Sequence, residues 1–407
     1  MDYAKQIDRR SFLRLGAGLA AGLPLAGCDS ELLTGLPVDR TVEGRRARLR
    51  DLGIVIGDLI PGGNNAITDV EGVRVGHVTL IHEEGKLVIG EGPVRTGVTA
   101  VLPHGGDITR EQLFAADFDL NGNGEMTGVG QIRRSGRLGA PILLTNTSSV
   151  GAVYDGAMRY MMEMNPEFLD RRPHPEPVVG ETWADFLNDT AGRHVRPEHA
   201  VEALSRASGG AVAEGCVGGG TGMRAFRFKA GIGTASRLID CAEEVYTVGV
   251  LVQANFGGRE QLRVDGVPIG REIADLMPER GKDEGGNSLL VVIATDAPLI
   301  PIQLRRLCKR ASLGMARTGG ISTHGSGDLV VAFSTGTKLA GKREEALELL
   351  SDRYISRVHQ GVVEGTEEAI LNSLTAADTM VGRDGNRIHA LPLDRLVATM
   401  QKYGRLK

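Results

Sequence analysis

The chain has 407 residues, of which 41% are hydrophobic and 24% are charged, and its formal net charge is −4 at pH 7. Its length suits two average domains or one large α/β domain, and its composition excludes a disordered chain and a membrane protein with many spans. No long basic run occurs, so nucleic acid is not an expected partner.

The first 28 residues are typical of a bacterial export signal. Arg9-Arg10 and the Ser-Phe-Leu that follows precede an apolar run, Leu15–Gly27, which is too short to anchor stably across a bilayer. The run leads into Cys28 through Leu-Ala-Gly, which resembles a lipoprotein box whose cysteine carries the lipid. We therefore expect a twin-arginine lipoprotein signal at residues 1–27, lipidation of Cys28, and a tether at residues 28–49. The expected location is the periplasm or cell envelope, with the lipid anchored in a membrane.

The remainder, residues 50–407, reads as one domain of strands and helices. Short apolar or β-branched runs bounded by Gly, Pro or Asn predict strands at Val73–Leu80, Thr96–Leu102, Ile142–Thr145, Ala211–Val217, Met223–Phe228, Val245–Gln253, Ser288–Thr295 and Leu329–Ser334. Helical periodicity predicts helices at Val150–Met164, Ile302–Ala316, Arg343–Leu350, Ile355–Leu374 and Leu391–Tyr403. Because strands and helices do not alternate strictly, the pattern favours an α+β layered sandwich.

Several motifs resemble ligand sites but lack an essential residue. Asp119–Gly124 resembles the start of an EF-hand loop, but position 12 falls on Gly130 where a bidentate Glu is required. Gly218–Gly222 lacks both the lysine of a P-loop and dinucleotide-site spacing, so it predicts a wide turn. The histidines show no HExxH spacing, and Cys216, Cys241 and Cys308 contain no CxxC. The sequence therefore predicts no metal site, no cofactor and no disulfide framework, with these cysteines as small buried side chains.

One junction is suited to self-cleavage. A polar, glycine-containing turn, Asp283–Asn287, leads directly into the apolar strand that begins at Ser288. The glycines allow a geometry in which the serine hydroxyl attacks the preceding carbonyl and forms an ester by an N→O shift. Hydrolysis then frees the α-amine of Ser288, whose reference pKa near 8 lets it act as a general base. Such serines are common, so this pattern alone also fits an ordinary strand start.

Eight segments, in order along residues 50–400, resemble the L-aminopeptidase/D-esterase family of DmpA-like serine aminopeptidases, which includes β-aminopeptidases. They are Asn64–His77, Leu120–Gly128, Thr145–Gly151, Val178–Asp189, Gly220–Arg237, Leu251–Asn255, Ser288–Pro298 and Gly325–Asp328. The resemblance implies an α/β/β/α sandwich like that of the N-terminal-nucleophile hydrolases but differently connected. It also implies self-cleavage between Asn287 and Ser288, giving chains 28–287 and 288–407.

The resemblance also implies roles for individual residues. Ser288 matches the nucleophile, and Ser326 and Asp328 match a serine–acid pair that orients it and relays protons. Asn255 matches a donor to the oxyanion. Each of these residues also has an ordinary structural reading, such as a strand end or a glycine turn.

Two further residues concern substrate binding. Glu181 matches the carboxylate that holds the free amino group of the substrate, although it could instead pair with an arginine. Trp183 stands where some relatives have a tyrosine whose hydroxyl assists the oxyanion. An indole N–H can donate but cannot accept a hydrogen bond, so the second oxyanion donor is left open.

The expected function is an exported aminopeptidase that hydrolyses short peptides, amides or esters with a free N-terminal amine. The sequence leaves open whether the N-terminal residue is an L-, D- or β-amino acid. A homotetramer of cleaved protomers is implied by the resemblance. Two alternatives share the fold: an acyltransferase of the ornithine acetyltransferase type, which uses threonine, and a non-catalytic binding lipoprotein. Ser288 and the Gly-Ser-Gly-Asp motif disfavour the first, and the intact nucleophile and acid disfavour the second.

Overall fold

The computed structural model describes residues 41–42, 45–170, 174–281, 288–341 and 346–406. Cys28 and Asn287, with the expected signal segment, lie outside these residues. Within the described ranges, no helix is long and apolar enough to cross a membrane. In the same ranges, no cluster of three or more His, Cys, Asp or Glu residues is placed to hold a metal ion.

Strands of between two and 13 residues run through the described chain. In chain order they are β1 (Thr41–Val42), β2 (Arg45–Arg46), β3 (Arg74–His82), β4 (Val94–Leu102), β5 (Gln112–Gly122), β6 (Arg137–Leu138), β7 (Ile142–Asn146), β8 (Val178–Thr182), β9 (Arg224–Ala225), β10 (Phe228–Lys229), β11 (Ile232–Asp240), β12 (Val245–Asn255), β13 (Ser288–Thr295), β14 (Gly327–Leu339), β15 (Met380–Val381) and β16 (Arg387–Ile388).

The helices pack outside the strands. They are α1 (Val129–Ser135), α2 (Val150–Met164), α3 (Pro197–Ser205), α4 (Ile269–Glu272), α5 (Pro301–Arg317), α6 (Ile355–Thr375) and α7 (Leu393–Lys402). Both α3 and α5 begin with a proline, whose missing N–H costs nothing in the first turn of a helix.

Two sheets form the centre of the fold. The larger has the order β11-β12-β13-β14-β5-β6, and the smaller has the order β3-β4-β7-β8. Strand β13 runs antiparallel to β12 and parallel to β14, whereas β14 runs antiparallel to β5. The amino ends of β13 and β14 therefore meet the carboxyl ends of β12 and β5 at one edge of the larger sheet.

Three apolar layers hold the sheets and helices together. Between the sheets, Leu290 and Val292 of β13 pack in one core cluster with Leu144 of β7. The alternate residues of β13 join the cluster that includes α5 and α6, and α2 and α3 cover the smaller sheet. Because both faces of β13 are buried, its sequence is continuously apolar and does not alternate with polar residues. This arrangement confirms the predicted α/β/β/α sandwich.

Most predicted elements are present, with bounds shifted by a few residues, and three are wrong. Met223–Phe228 is not one strand but most of a hairpin, because Phe226 and Arg227, with φ of 51° and 61°, form a turn between β9 and β10. Ala211–Val217 is not a strand: Gly215, with φ of 78°, forms only an isolated bridge with Ile232. The described part of the helix predicted at Arg343–Leu350 has no regular structure, and Leu350 N–H donates instead to Pro298 O at 2.9 Å. Cys241 and Cys308 are buried as predicted, whereas Cys216 is only half-buried.

Candidate active site

The residues predicted as the nucleophile, its acid and the oxyanion donor lie where three strands meet. Ser288 is the first residue of β13 and pairs in register with Asn255, the last residue of β12. Leu289 pairs with Asp328, the second residue of β14. The register of one sheet therefore brings together residues that are separated by up to about 70 positions in sequence.

The hydroxyl of Ser288 is held by a main-chain bond. The side chain lies at the edge of the sheet, where the residue is 9% exposed. Its Oγ accepts a hydrogen bond from Gly327 N–H at 3.2 Å. The position of this oxygen is therefore set by the main chain at the start of β14, and not by another side chain.

Asp328 is a buried carboxylate with several donors. Its Oδ1 accepts from Leu289 N–H at 3.1 Å, and its Oδ2 accepts from Ser322 Oγ at 2.5 Å. The Ser326 hydroxyl also hydrogen-bonds this carboxylate. Burial raises the pKa of Asp328, while these hydrogen bonds act to lower it. The predicted Ser326–Asp328 contact is present, beside the peptide unit that follows Ser288.

Two asparagines that the sequence analysis left without a role hold the loop that carries Ser326. Asn121 Nδ2 donates to Thr323 O at 3.0 Å and to Ser326 O at 2.7 Å. Asn123 Nδ2 donates to Gly325 O at 2.8 Å. These residues belong to the Asp119–Gly124 segment that resembles the start of an EF-hand loop. Alternating Asn and Gly at the end of β5 was the available signal, and the two amides hold the loop that carries Ser326.

Glu181 lies on β8 of the smaller sheet and is 7% exposed. Its Oε1 accepts from Glu125 N–H at 3.1 Å, and its Oε2 accepts from the Thr147 hydroxyl. Gly124 lies between this carboxylate and Gly327, whose N–H bonds Ser288 Oγ. A Cβ on Gly124 would be 3.2 Å from Glu181 Oε1 and 3.3 Å from Gly327 Cα. Burial raises the pKa of Glu181 against the effect of these hydrogen bonds. A buried carboxylate in this position is suited to a cationic group.

The side-chain amide of Asn255 has a defined direction. Its Oδ1 accepts from Arg224 N–H at 3.1 Å, and its Nδ2 donates to Trp183 O at 3.0 Å. Trp183 takes part in this network through its main-chain carbonyl, and the residue itself is 48% exposed. The two bonds orient the Asn255 Nδ2 group at the end of β12, next to the start of β13.

Comparisons with known proteins show which family this chain resembles. Residues 65–388 match peptidase family S58. The beta-peptidyl aminopeptidase BapA of Sphingosinicella microcystinivorans is 45% identical over 405 residues, covering 95% of this chain and 97% of that protein.

Two solved structures are similar over most of this chain. The Burkholderia sp. beta-aminopeptidase has a TM-score of 0.80 and 43% identity, and the match covers 88% of this chain and 99% of that one. The L-aminopeptidase D-Ala-esterase/amidase of Ochrobactrum anthropi, a variant of the Ntn hydrolase fold, has a TM-score of 0.81 and 37% identity. This match covers 88% of this chain and 99% of that one.

Proposed function

Because this chain belongs to peptidase family S58, we propose that it is a self-activating β-aminopeptidase that removes N-terminal residues from short peptides, amides and esters. The family match makes it a serine-type aminopeptidase hydrolase. The preference for a β-amino acid at the N-terminus is supported by the beta-peptidyl aminopeptidase that is 45% identical to it. The observation that carries the proposal is the register pair of Ser288 with Asn255, next to the buried carboxylate of Asp328.

Activation in this proposal is a cut between Asn287 and Ser288. The Ser288 hydroxyl oxygen attacks the carbonyl carbon of residue 287, the C–N bond breaks, and the nitrogen leaves with the hydroxyl proton as the free α-amine. Water then hydrolyses the ester, which gives a carboxylate on residue 287 and restores the Ser288 hydroxyl. The products are chains 28–287 and 288–407.

Turnover uses the groups that activation creates. The α-amine of Ser288 takes the hydroxyl proton while Oγ attacks the substrate carbonyl, and Asn255 Nδ2 donates to the oxygen that becomes negative. The proton then passes to the leaving amine, and water hydrolyses the acyl-enzyme. Asp328 fixes the start of β13 through Leu289 N–H, and Ser326 lies beside it to relay protons.

Purification of the mature protein tests activation and turnover together. We expect two fragments on a denaturing gel, with the smaller one beginning Ser-Leu-Leu-Val-Val, and hydrolysis of β-alanyl p-nitroanilide. Ser288→Ala should remain one folded, inactive chain, whereas Ser205→Ala, at an exposed serine of α3, should cleave like the wild type. A fragment that begins elsewhere, or an uncleaved but active enzyme, would refute the mechanism. One intact, inactive wild-type chain would favour the binding lipoprotein.

We also propose export by the twin-arginine route, anchoring by lipid at Cys28, and assembly as a homotetramer. The sequence of the first 28 residues supports the location, and the family resemblance supports the assembly. Cys28→Ala should move the protein out of the membrane fraction, and Arg9→Lys with Arg10→Lys should block export. Wild-type fractionation of both variants would refute the location. Light scattering should give four times the protomer mass.

A further inference from the structure

A fully buried lysine lies behind Asn255. Lys229 ends the short strand β10 and has no exposed surface. Lysine side chains are almost never fully buried unless their ammonium group is paired. Here Nζ donates to Met223 O at 2.8 Å and to Ala230 O at 2.7 Å. The reaction steps above do not use this cation, although its burial is costly.

One peptide group connects Lys229 to Asn255. The carbonyl of Met223 accepts the lysine bond, and the N–H of the same peptide unit, which belongs to Arg224, donates to Asn255 Oδ1. A peptide unit is planar and conjugated, so a cation on its oxygen makes its N–H a stronger donor. A stronger bond to Oδ1 in turn makes Asn255 Nδ2 a stronger donor.

The same bonds fix the geometry of the hairpin that presents Arg224 N–H. Strands β9 and β10 pair with Lys229 opposite Arg224, and the turn between them has Phe226 and Arg227 at φ of 51° and 61°. These left-handed conformations are uncommon for side chains other than Gly, Asn and Asp. The lysine closes the open end of the hairpin by bonding the carbonyl before β9 and the carbonyl after β10.

We propose that Lys229 is a positioning residue for the oxyanion site, because its ammonium group holds and polarises the Met223–Arg224 peptide and, through it, the Asn255 amide. This inference rests on the proposed role of Asn255 as the oxyanion donor. Burial lowers the pKa of Lys229, whereas a hydrogen bond with Cys216 and the charge of Asp378 act to raise it. The charge of Arg224 also acts to lower this pKa.

Lys229→Met tests the proposal, since it keeps an unbranched side chain of similar length and removes the charge and both bonds. We expect kcat per cleaved site to fall about 10- to 100-fold while KM changes less than about threefold, because the oxyanion exists only in the transition state. In a protein that already carries Asn255→Ala, Lys229→Met should cause no further loss of kcat. If Lys229→Met does not fold, Lys229→Gln, which keeps a neutral donor, takes its place in the same cycle with a smaller expected fall.

Arg259→Met is the matched control. Arg259, in the 3-10 turn Arg259–Gln261, is another buried cation that contacts this hairpin. It donates to Phe226 O at 3.0 Å and Arg227 O at 2.9 Å, in the turn, and to Ile273 O at 2.9 Å. Its loss should leave kcat within about threefold of the wild type. If Lys229→Met leaves kcat unchanged, or lowers it equally with and without Asn255→Ala, the lysine only supports packing and the proposal is overturned. If Asn255→Ala alone leaves kcat unchanged, the oxyanion role of Asn255 fails first, and the positioning role of Lys229 fails with it.

Discussion

The Glu181 carboxylate belongs to the smaller sheet, but its proposed partner is an ammonium group bound beside Ser288. Glu181→Gln keeps the acceptor for Glu125 N–H and removes the charge. The variant should cleave normally and lose kcat/KM by about two orders of magnitude or more, because the lost ion pair is desolvated. Steady-state rates with β-alanyl p-nitroanilide measure this effect.

A neighbouring carboxylate provides the comparison for Glu181. Glu125 is exposed, so Glu125→Gln should change kcat/KM less than about fivefold. If Glu181→Gln instead prevents cleavage and leaves no folded protein, Glu181 has a structural role and the amine-binding role is wrong.

The family resemblance was enough to predict that Ser288, Asn255, Ser326 and Asp328 lie together in one site. The supporting contacts could not be predicted in the same way. Asn121 bonds a loop about 200 positions later in the chain, and Lys229 reaches Asn255 only through a main-chain peptide. Nothing local in the sequence encodes such partners, since they depend on which strands become neighbours.

Among the elements, the glycine segment at 218–220 leaves no room for side chains. It forms a 3-10 turn between the sheets, and Gly219 N–H donates to Thr99 Oγ1 at 3.1 Å. A Cβ at Gly219 would lie 2.3 Å from Gln253 Oε1 and 2.5 Å from Leu144 O. Gly219→Ala should therefore destabilise the fold by about 1–3 kcal/mol or more, measured by thermal or denaturant unfolding.

Gly209 is the matched position for this test. A Cβ there would have no atom within 4 Å, and its φ is not in the left-handed region. Gly209→Ala should leave the melting temperature unchanged or slightly higher, since alanine restricts the unfolded chain. Equal melting temperatures for the two variants would show that the packing around Gly219 relaxes without cost.

Two elements that were missed or wrong, β5 and the run at 343–350, have identifiable physical causes. Strand β5 carries Asp117 and Asp119, which read as loop residues but pair with Arg133 of α1. The run predicted as a helix at Arg343–Leu350 includes Leu347 and Leu349, yet both are exposed, and among the described residues of the run only Leu350 is buried. Apolar periodicity predicts an element when burial produces it, and it fails where ion pairs or single anchoring residues decide the structure.

At the scale of the whole molecule, helix α6 concentrates buried acidic groups. Glu367 is paired with Arg317 at 2.7 Å, and burial raises the pKa of Glu367 to about 7. A carboxyl group whose pKa is higher in the folded than in the unfolded state stabilises the fold while it is protonated. This stabilisation is lost as the pH rises through the pKa of the folded state. The free energy of unfolding of Glu367→Gln should therefore exceed that of the wild type by about 1–3 kcal/mol at pH 8, and by little at pH 4.5.

The next residue should respond in the opposite direction. Burial disfavours the charge of Glu368, but Arg237 at 2.6 Å and Arg50 at 2.8 Å more than offset it and lower its pKa. A lowered carboxyl pKa stabilises the fold above the unfolded value, so Glu368→Gln should destabilise the protein at neutral pH and less in acid. Unfolding curves at several pH values compare the two variants, and parallel pH profiles would contradict this division.

The order of strands in the larger sheet has a consequence for the mature enzyme. Strands β13 and β14 follow the proposed cut, yet they lie between β12 and β5, which precede it. After cleavage, unfolding separates two polypeptides, so it becomes a dissociation governed by mass action. A 100-fold dilution should then lower the free energy of unfolding by about 2.7 kcal/mol, and the melting temperature should fall more than that of uncut Ser288→Ala. The proposed cut would thus turn a fold that one chain can regain alone into a complex of two chains that must associate again.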